Sequence, residues 1–539
     1  MLGLMMDMPL LVSDLIRHAD RHHGGAEIVS RRVEGDIHRY TYREAHARAR
    51  RLAKALAAMG LVQGDRVASL AWNGYRHFEL YYASSGSGLV MHTLNPRLFP
   101  EQIGWILDDA ADAALFVDLT FVALAARLAA GRLDPARIVV MTDRAHMPPE
   151  SKGMTCYEEL IEAHDDAFEW PALDEKTACG LCYTSGTTGN PKGALYSHRS
   201  NVLHAYAICL PDAMGLSAGD CALPIVPMFH ANAWGLPFAA CLAGAKIVFP
   251  GPALDGKSLH ALFEAERVTF SAGVPTVWLG LLQYLKENKL RLTTLKRTVI
   301  GGAAVSPAMM RTLEEDYGIE VRHAWGMTEM SPTGCVCNLK EKHALLPAEE
   351  QRAIREKQGH VLYGVDWKIV DGEGRELPWD GVAFGDLYVR GPWVMERYYK
   401  APHSALVDGW FPTGDVATID PDGYLRITDR SKDVVKSGGE WISSIELENL
   451  AMSHPAVQEA AVVACKHPKW DERPLLIVVK KAGAEVSRDE LLAFYEGKVA
   501  KWWIPDDVVF VEELPHTATG KLLKTELRSR YASFSGTRS

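Results

Sequence analysis

Helical and strand patterns alternate along the first part of the chain, and this alternation limits the folds that the chain can adopt. Tyr42–Met59 carries apolar residues at helical spacing, and Gly74–Ser87 has a second helical pattern. Arg66–Ala71 and Ala114–Val117 between and after them have the apolar runs of buried strands. The same alternation returns between residues 246 and 300. Strands that alternate with helices in this way are typical of a layered α/β architecture.

A change of pattern after about residue 360 predicts further units. Short segments such as Trp367–Val370 and Tyr424–Thr428 are bounded by Gly, Pro and Asp, which indicates a small β-rich unit. The polar stretch Asp429–Asp433 follows as a linker, and the chain beyond it has helix and strand patterns for a separate domain of roughly 100 residues. A chain of 539 residues is too long for one ordinary core. The sequence therefore predicts an α/β protein with a large N-terminal part and a small α+β C-terminal domain.

Charge and composition exclude several classes of protein. A net charge of −10 argues against nucleic acid as a partner, and 47% hydrophobic with 23% charged residues fits a soluble globular chain. The N-terminus lacks the basic start of a secretory signal, and no apolar run reaches the roughly 18–20 residues that span a bilayer. Nine cysteines in so long a chain make no disulfide pattern; Cys179 and Cys182 are interpreted as buried, reduced thiols. A reducing cytoplasm fits this cysteine usage.

The strongest local signal is the stretch Tyr183–Gly193, with the sequence YTSGTTGNPKG. Its three glycines permit unusual backbone angles, so that exposed N–H groups can surround an anion. Four hydroxyl side chains and Lys192 add donors and charge. The spacing differs from the GxxxxGK[ST] pattern of the nucleoside-kinase loop. The segment follows an apolar strand pattern and, by the sequence, precedes a helix, so we predict a phosphate-binding loop between the two.

These eleven residues resemble the signature of the adenylate-forming superfamily, which includes acyl-CoA synthetases, the adenylation domains of peptide synthetases and firefly luciferase. Six further segments match in the order that the superfamily has them, so the resemblance covers the whole chain. They are Pro227–Gly235 (PMFHANAWG), His323–Glu329 (HAWGMTE), Gly385–Gly391 (GDLYVRG), Trp410–Asp415 (WFPTGD), Asp429–Glu440 (DRSKDVVKSGGE) and Pro515–Lys521 (PHTATGK).

The resemblance implies a nucleotide site built from loops of the large domain. Trp325 is expected to stack on adenine, Thr328 to bind the α-phosphate, and Asp415 to accept the ribose hydroxyls with Arg430 nearby. Thr184 and Glu329 are the expected magnesium ligands. The full set that the resemblance assigns to ATP or AMP is Thr184, Ser185, Gly186, Thr187, Thr188, Gly189, Lys192, Gly302, Ala303, Ala304, His323, Ala324, Trp325, Gly326, Met327, Thr328, Asp415, Arg430, Lys432 and Lys521.

The resemblance also implies an acyl pocket and a path for coenzyme A. The acyl residues are His230, Trp234, Val274, Gly301, Gly326 and Pro332. Together with Pro275 and Trp278, the large side chain of Trp234 suggests an apolar, restricted pocket. His230 is expected to contact phosphate in one state and to move aside for the thiol in the other. The residues expected to contact coenzyme A are Lys436, Gly438, Gly439, Glu440 and Trp441.

The reaction that the resemblance implies has two steps. A carboxylate attacks Mg-ATP to give an acyl-adenylate and pyrophosphate, and the thiol of coenzyme A then displaces AMP. Catalytic roles fall to Lys521, Lys436, His230 and Glu329. Residues 1–429 form the adenylation domain, 430–433 the hinge with its pivot at Lys432, and 434–539 a mobile C-terminal domain that presents Lys521 first and Lys436 second.

Several alternatives remain open at the level of sequence. An enzyme that adenylates amino acids would carry a carboxylate in the acyl pocket, and Ala231–Trp234 has none. A stand-alone enzyme for aryl acids and a luciferase-like oxygenase share the fold. A non-catalytic nucleotide-binding protein is expected to have lost Lys521 or Glu329, and both are present. Around Pro227–Phe238 the chain resembles short- and medium-chain fatty acyl-CoA ligases and 3-methylmercaptopropionyl-CoA ligases. A homodimer is a family-level expectation.

Overall fold

Buried apolar strands assemble into three sheets. The computed structural model describes residues 1, 3–184, 190–437, 440–516, 522–532 and 534, and gives the backbone alone for Glu440 and Trp441. In chain order the described strands are β1 (Glu27–Arg31), β2 (Ile37–Thr41), β3 (Arg66–Leu70), β4 (Val90–Thr93), β5 (Ala114–Val117), β6 (Ile138–Val140), β7 (Thr155–Cys156), β8 (Ala178–Thr184), β9 (Lys192–Ser197), β10 (Cys221–Pro224), β11 (Lys246–Phe249), β12 (Phe270–Gly273), β13 (Arg297–Gly301), β14 (Glu320–Gly326), β15 (Thr333–Val336), β16 (Gly359–Val361), β17 (Asp366–Val370), β18 (Phe384–Arg390), β19 (Phe411–Ile419), β20 (Tyr424–Arg430), β21 (Val435–Ser437), β22 (Glu440–Ile442), β23 (Val457–His467), β24 (Asp471–Lys480) and β25 (Asp507–Phe510).

Helices cover the faces of these sheets. They are Val12–His23, Tyr42–Ala58, Tyr75–Gly86, Pro100–Ala110, Val122–Ala129, Tyr157–Glu162, His198–Cys209, Leu236–Ala243, Gly256–Glu266, Pro275–Asn288, Pro307–Arg311, Glu341–Ala344, Ala348–Arg355, Ser444–Met452, Arg488–Phe494 and Lys524–Arg530. Each residue of the helix Tyr75–Gly86 is buried, because this helix lies in the core shared by two sheets. Among the described residues, no helix combines the length and the apolar character that a bilayer crossing requires.

The largest sheet has the order β17-β18-β19-β20-β16-β15-β14-β13-β12-β10-β11-β1-β2. Its middle, from β1 to β14, is parallel, with β11, β10, β12 and β13 between them. The strands β15 to β20 extend it in antiparallel fashion. The β-rich unit predicted after residue 360 is therefore present, and it continues the large sheet through the pair β16–β20.

A second sheet, with the order β7-β6-β5-β3-β4-β8-β9, is parallel except for its last strand. Here the sequence-based prediction of a helix directly after the phosphate loop is wrong. The chain returns as β9, antiparallel to β8 with Thr184 opposite Lys192, and the helix begins only at His198. Ala194 and Tyr196 are buried on one face of β9, and their packing holds this strand against the core. The glycines of the loop do not predict such tertiary packing.

The third sheet belongs to the C-terminal part and has the order β22-β21-β24-β23, with β25 paired to β24. The chain passes from the large sheet to this one between Arg430 and Val435, over a turn in which the N–H groups of Asp433 and Val434 both donate to the carbonyl of Arg430. Asp429 and Arg430, predicted as linker, are thus the end of β20, paired with Val416 and Asp415. The helix Arg488–Phe494 of this part ends before Gly497, which has φ +74°.

Candidate active site

The candidate site lies where parallel strands end. Strand β8 ends at Thr184, β12 at Gly273, β13 at Gly301 and β14 at Gly326, and each is followed by a segment that the sequence assigned to ligand binding. In open α/β sheets, ligands bind outside the carboxyl ends of the strands. The topology therefore brings the phosphate loop, the acyl segment and the adenine segment to neighbouring edges.

The predicted phosphate loop, Tyr183–Gly193, begins on β8 and ends on β9. Thr184 and Lys192 pair across its base, and the side chain of Lys192 is exposed with Nζ 5.0 Å from the centre of the Tyr398 ring. The carbonyl of Gly193 accepts a bond from the N–H of Tyr399, which ties the hairpin to the segment before β19. Ser185, Gly186, Thr187, Thr188 and Gly189 lie outside the described residues.

Glu329 follows the end of β14 and is buried beside this hairpin. Its Oε1 accepts a hydrogen bond of 2.8 Å from the hydroxyl of Tyr398. Burial, with the carboxylate of Glu329 beside it, raises the pKa of Tyr398, so the phenol stays protonated and remains a donor. The carbonyl of Thr328 accepts from the hydroxyl of Tyr196 on β9 at 2.6 Å. Lys192, Tyr398 and Glu329 thus form one polar group at the strand ends.

Asp415 lies in β19 and joins three segments that are far apart in the sequence. Its Oδ2 accepts from the indole Nε1 of Trp325 at 2.8 Å, and its Oδ1 pairs with Nε of Arg430 at 2.7 Å. The carboxylate is buried, whereas Arg430 is exposed. Each oxygen keeps a second lone pair, so the oriented carboxylate retains two acceptor positions for another ligand.

The small-residue segment after β13 borders Trp325. Gly301 stands opposite Ala324, and a Cβ on Gly301 would come within 2.6 Å of the carbonyl oxygen of Ala324. Gly302 has φ +78°, which favours glycine, and Ala303 and Ala304 are exposed. These residues leave room for a flat group close to the backbone.

Two other residues of the adenine segment differ in their surroundings. The imidazole of His323 is buried, its Nδ1 lies 2.9 Å from the carbonyl oxygen of Glu356, and burial lowers its pKa to about 4. The side chain of His323 therefore packs against the end of the helix Ala348–Arg355. Met327 is half-buried, and its N–H donates to the carbonyl of Pro332.

The acyl segment has an unusual backbone. Ala231, Asn232, Ala233 and Trp234 have φ values of 44°, 55°, 48° and 56°, so four consecutive residues other than glycine form a left-handed turn. L-residues in this region cost roughly 1–2 kcal/mol each. His230 precedes the turn and is half-buried, as is Trp234 at its end. Such strain persists only where the surroundings hold it, and it is common at functional sites.

Three side chains from other elements hold this turn. Asn73 donates from Nδ2 to the carbonyls of Pro224 and Val226, at 3.0 and 2.9 Å, and its Oδ1 accepts from the N–H of Met228 at 2.6 Å. The hydroxyl of Tyr81 lies 2.5 Å from the carbonyl of Met228 and 3.0 Å from Oδ1 of the buried Asn232. Cys182 lies 3.7 Å from the same Oδ1. Asn73 and Tyr81 could not be predicted as site residues, because neither lies in a recognisable motif.

The remaining acyl residues meet from separate loops. A Cβ on Gly326 would lie 2.2 Å from the carbonyl oxygen of Pro332, so only glycine permits this approach. Val274, at the end of β12, is half-buried. Trp278, expected in the wall of the acyl pocket, lies elsewhere. It is fully buried in a different core cluster, with its ring centre 6.2 Å from that of Phe263. The helix that carries it points this side chain into the protein core.

The residues expected to bind coenzyme A lie beyond the turn between the sheets. Lys436 is exposed on β21 and pairs with Trp441 of β22, while its N–H donates to Glu472. Gly438 and Gly439 lie outside the described residues, and so does Lys521. Lys432 is exposed within the turn, and its carbonyl accepts from Arg528.

The sequence profile of the AMP-binding enzyme matches residues 15–399, and that of the AMP-binding enzyme C-terminal domain matches residues 446–521. The chain belongs to the AMP-binding enzyme family. The two profiles lie on either side of the passage from the large sheet to the small one, so the AMP-binding part contains the strand ends described above.

Relatives in this family match over nearly the whole chain. The 3-methylmercaptopropionyl-CoA ligase of Ruegeria lacuscaerulensis is 53% identical over 98% of this chain and 99% of its own length. The medium-chain-fatty-acid–CoA ligase of Ectopseudomonas oleovorans is 49% identical over 98% of each. Among solved structures, an anthranilate CoA ligase in complex with anthranoyl-AMP matches with a TM-score of 0.85 and 25% identity, over 97% of this chain and 98% of that one. The layered α/β fold with a C-terminal domain is confirmed.

Tyr398 is a further polar residue of the site that could not be predicted from the sequence. It lies 69 residues along the chain from Glu329, in a segment without a recognised motif. Its contact exists because the chain after β18 folds back over the β8–β9 hairpin.

Proposed function

We propose that this member of the AMP-binding enzyme family is an acyl-CoA ligase that activates a short- or medium-chain carboxylic acid. It converts the acid and ATP to an acyl-adenylate and pyrophosphate, and it then transfers the acyl group to coenzyme A with release of AMP. The names of relatives at 49–53% identity over almost the full length support the ligase activity. We propose a cytoplasmic enzyme, consistent with nine free cysteines, eight of them buried.

The contact between Trp325 and Asp415 carries the nucleotide assignment. It orients a buried carboxylate beside an aromatic ring, next to a segment of Gly and Ala at the strand ends. A ribose needs two acceptors and an adenine needs a flat, uncrowded surface, and this arrangement offers both. We therefore assign adenosine to Gly302–Ala304, Trp325 and Asp415, with Arg430 over the ribose.

Glu329 and Thr184 are the proposed protein ligands of a magnesium ion. Among the described residues, no cluster of three or more His, Cys, Asp or Glu side chains forms a cation cage. Magnesium fits nonetheless, since it commonly keeps several waters and takes one or two protein oxygens together with phosphate oxygens. When bound, it would neutralise phosphate charge. The Tyr398 hydroxyl would hold the buried Glu329 carboxylate in position by its hydrogen bond.

In the first half-reaction, a carboxylate oxygen of the acid bonds to the α-phosphorus, and the bond from that phosphorus to the bridging oxygen of pyrophosphate breaks. Because both reactants are anions, the transition state needs added positive charge. We assign that charge to Lys521, with Lys192 and the hydroxyls of the phosphate loop on the leaving pyrophosphate. Alignment and charge stabilisation supply most of the rate in such reactions.

In the second half-reaction, the thiol of coenzyme A loses its proton to solvent and its sulfur bonds to the acyl carbon, while the bond from that carbon to the phosphate oxygen of AMP breaks. We propose that the C-terminal domain rotates about Lys432 between the steps, so that Lys436, Gly438, Gly439, Glu440 and Trp441 line the path of the thiol. His230 would then leave the phosphate and clear this path. The turn at residues 431–434, where the chain changes sheets, supports a pivot at this position.

The identity of the carboxylic acid substrate is a further part of the proposal. Relatives named for 3-methylmercaptopropionate and for medium-chain fatty acids have similar identity to this chain, which supports a linear acid of limited length. Half-buried Trp234 at the acyl turn is the proposed end wall of the pocket. A homodimer stays a prediction.

The test separates the two half-reactions. Purified enzyme with an acid panel should release pyrophosphate with ATP alone, and AMP with acyl-CoA once coenzyme A is added. Lys521→Ala should lose adenylate formation but convert supplied acyl-adenylate to acyl-CoA. Equal loss of both steps would contradict the separate role of Lys521, and absence of AMP with every acid would contradict the proposed function.

A further inference from the structure

A histidine outside every motif lies between the loops of the proposed acyl pocket. His204 is in the helix His198–Cys209 and is buried, with 1% of its surface exposed. Its Nε2 lies 3.0 Å from the backbone N of Thr333, which directly follows Pro332. The ring of Trp393 stands at 82° to it, 6.1 Å between centres, and the indole N–H of Trp393 donates to the carbonyl of Thr333.

These contacts fix where the proton of His204 is. The N–H of Thr333 can only donate, so Nε2 must be the unprotonated acceptor. A neutral imidazole then carries its single proton on Nδ1. Burial lowers the pKa of His204 to about 3, so the ring is neutral at pH 7. His204 therefore presents a fixed N–H donor on its Nδ1 side.

The Nδ1 side faces Gly235. A Cβ at position 235 would come within 2.7 Å of Nδ1, so only glycine leaves room for the imidazole at this place. Gly235 directly follows Trp234 and has φ +79°, which favours glycine. Within the described part of the chain, Nδ1 has no hydrogen-bond acceptor. An uncompensated buried donor costs free energy, and a ligand that supplies an acceptor would recover it.

We propose that His204 is a specificity-determining residue whose Nδ1–H donates to a heteroatom within the acyl chain, so that the enzyme favours thioether or ether acids over all-carbon acids of equal length. The proposal rests on the proposed ligase function. The donor lies between Gly235 and Thr333, and each of these is adjacent to a proposed acyl residue. The ring of Trp393 and the side chain of Ile208 make the rest of its surroundings apolar. A thioether sulfur is a weak acceptor that an aliphatic pocket can also accommodate.

Matched acids test this directly. 3-(Methylthio)propanoate and pentanoate differ by one sulfur in place of a methylene, and so do 4-(methylthio)butanoate and hexanoate. For the wild-type enzyme we expect a higher kcat/KM for the thioether of at least one pair. Because sulfur is a weak acceptor, we expect a preference at the lower end of the range for an ordinary hydrogen bond, roughly 2- to 3-fold.

Variants separate the donor from the packing. In His204→Phe the thioether preference should disappear while acyl-CoA is still made. His204→Gln can place an amide oxygen near Nε2 and an N–H near the pocket, and should keep part of the preference. His198→Phe is the matched control: this histidine lies on the same helix, is fully buried and accepts the N–H of Val12, but is not near Gly235 or Thr333. It should leave the preference unchanged.

The outcomes distinguish this inference from the function on which it rests. Failure to form acyl-CoA from any acid would contradict the ligase proposal. Formation of acyl-CoA with equal kcat/KM for both members of each pair would overturn the role of His204 alone. So would an unchanged preference in a folded His204→Phe enzyme, or an equal loss in His198→Phe. If His204→Phe fails to fold, the wild-type ratios and His204→Gln still decide the question.

Discussion

The backbone N–H of Ser444 donates to Oδ2 of Asp429 at 2.6 Å, across the turn that joins the two sheets. Asp429 is fully buried at the end of β20, and its Oδ1 accepts from the N–H of Arg430 at 2.7 Å. Ser444 is the first residue of the helix Ser444–Met452, and its hydroxyl binds Nζ of Lys524 at 2.5 Å. The large domain thus caps a helix of the C-terminal part, and this bond must break if the two parts rotate about Lys432.

Asp429→Asn should loosen the C-terminal part. The amide has one oxygen instead of two, so one of the two backbone donors loses its partner, at a cost of about 1–3 kcal/mol. Limited trypsin digestion between Arg430 and Lys436 should become roughly tenfold faster. The control is Asp380→Asn, which changes an exposed carboxylate that accepts from the backbone N–H groups of Val382 and Ala383. Equal digestion rates for wild type and Asp429→Asn would contradict the capping role.

Lys432→Pro should separate the two half-reactions. Proline fixes φ near −65° and restricts Ser431 as well, so a pivot at this position would lose the backbone change that rotation requires. We expect acyl-adenylate to form at a useful rate and acyl-CoA to form slowly, measured by single-turnover kinetics of each step. Lys432→Ala removes the same side chain but keeps backbone freedom, and should retain both steps. Thioester formation by the proline variant at the wild-type rate would assign the pivot elsewhere.

Tyr398→Phe should weaken magnesium binding, so that the enzyme needs a higher magnesium concentration. The variant removes the hydroxyl that donates to Glu329, and loss of such a supporting partner typically costs about 10- to 100-fold in metal affinity. The measurement is the magnesium concentration that gives half-maximal adenylate formation at fixed ATP. Tyr399→Phe is the matched neighbour, because Tyr399 contacts the hairpin through its backbone N–H. An unchanged magnesium dependence in Tyr398→Phe would remove this residue from the site.

Trp234→Ala should shift the preference towards longer acids. Removal of the indole deepens the pocket, and each added methylene that it can then bury is worth about 1–3 kcal/mol. The ratio of kcat/KM for octanoate to that for butanoate should therefore rise by tenfold or more, which is roughly the effect of burying one additional methylene. If Trp234 only packs the core, the melting temperature should fall and the ranking of acids should stay the same.

Acid should destabilise the enzyme through its buried histidines. Burial lowers the pKa of His198 to about 4, while the unfolded chain has a value near 6.5. As the pH falls below 6.5, the unfolded state takes up the proton first, so the free energy of unfolding decreases, by up to about 2 kcal/mol at pH 5 for one such residue. Denaturation midpoints at pH 7.5 and 5.0 measure this. His198→Gln should lose less stability between the two than the wild type, and an equal loss would exclude His198 as a cause.

Much of the fold could be predicted because local periodicity and tertiary packing agree there. The strand Ala114–Val117 has the predicted bounds, and strands alternate with helices between residues 246 and 300 as predicted. Strand β9 could not be predicted, since its conformation depends on pairing with β8, and a glycine-rich loop does not determine the direction in which the chain leaves it. The end of β20 at Arg430 was hidden for the same reason, because pairing with Asp415 extends a strand into polar sequence.

The residues of the candidate site also fall into a group that could be predicted from the sequence and a group that could not. Trp325, Glu329 and Asp415 could be proposed because they lie in contiguous motifs with recognisable neighbours. Tyr398 and His204 could not, because each acts through one contact with a distant segment and its own neighbours in sequence carry no pattern. Such residues become visible only when the sheets bring the strand ends together.

The left-handed turn at Ala231–Trp234 has a consequence for attempts to engineer this enzyme. Glycine at Ala231 or Ala233 would relieve the unfavourable φ values, so a screen for thermal stability should recover such substitutions. The same substitutions would free the loop to leave the conformation that Asn73 and Tyr81 now impose. Libraries selected for heat resistance alone should therefore become enriched in catalysts with relaxed acid selectivity, and the two properties would have to be selected together.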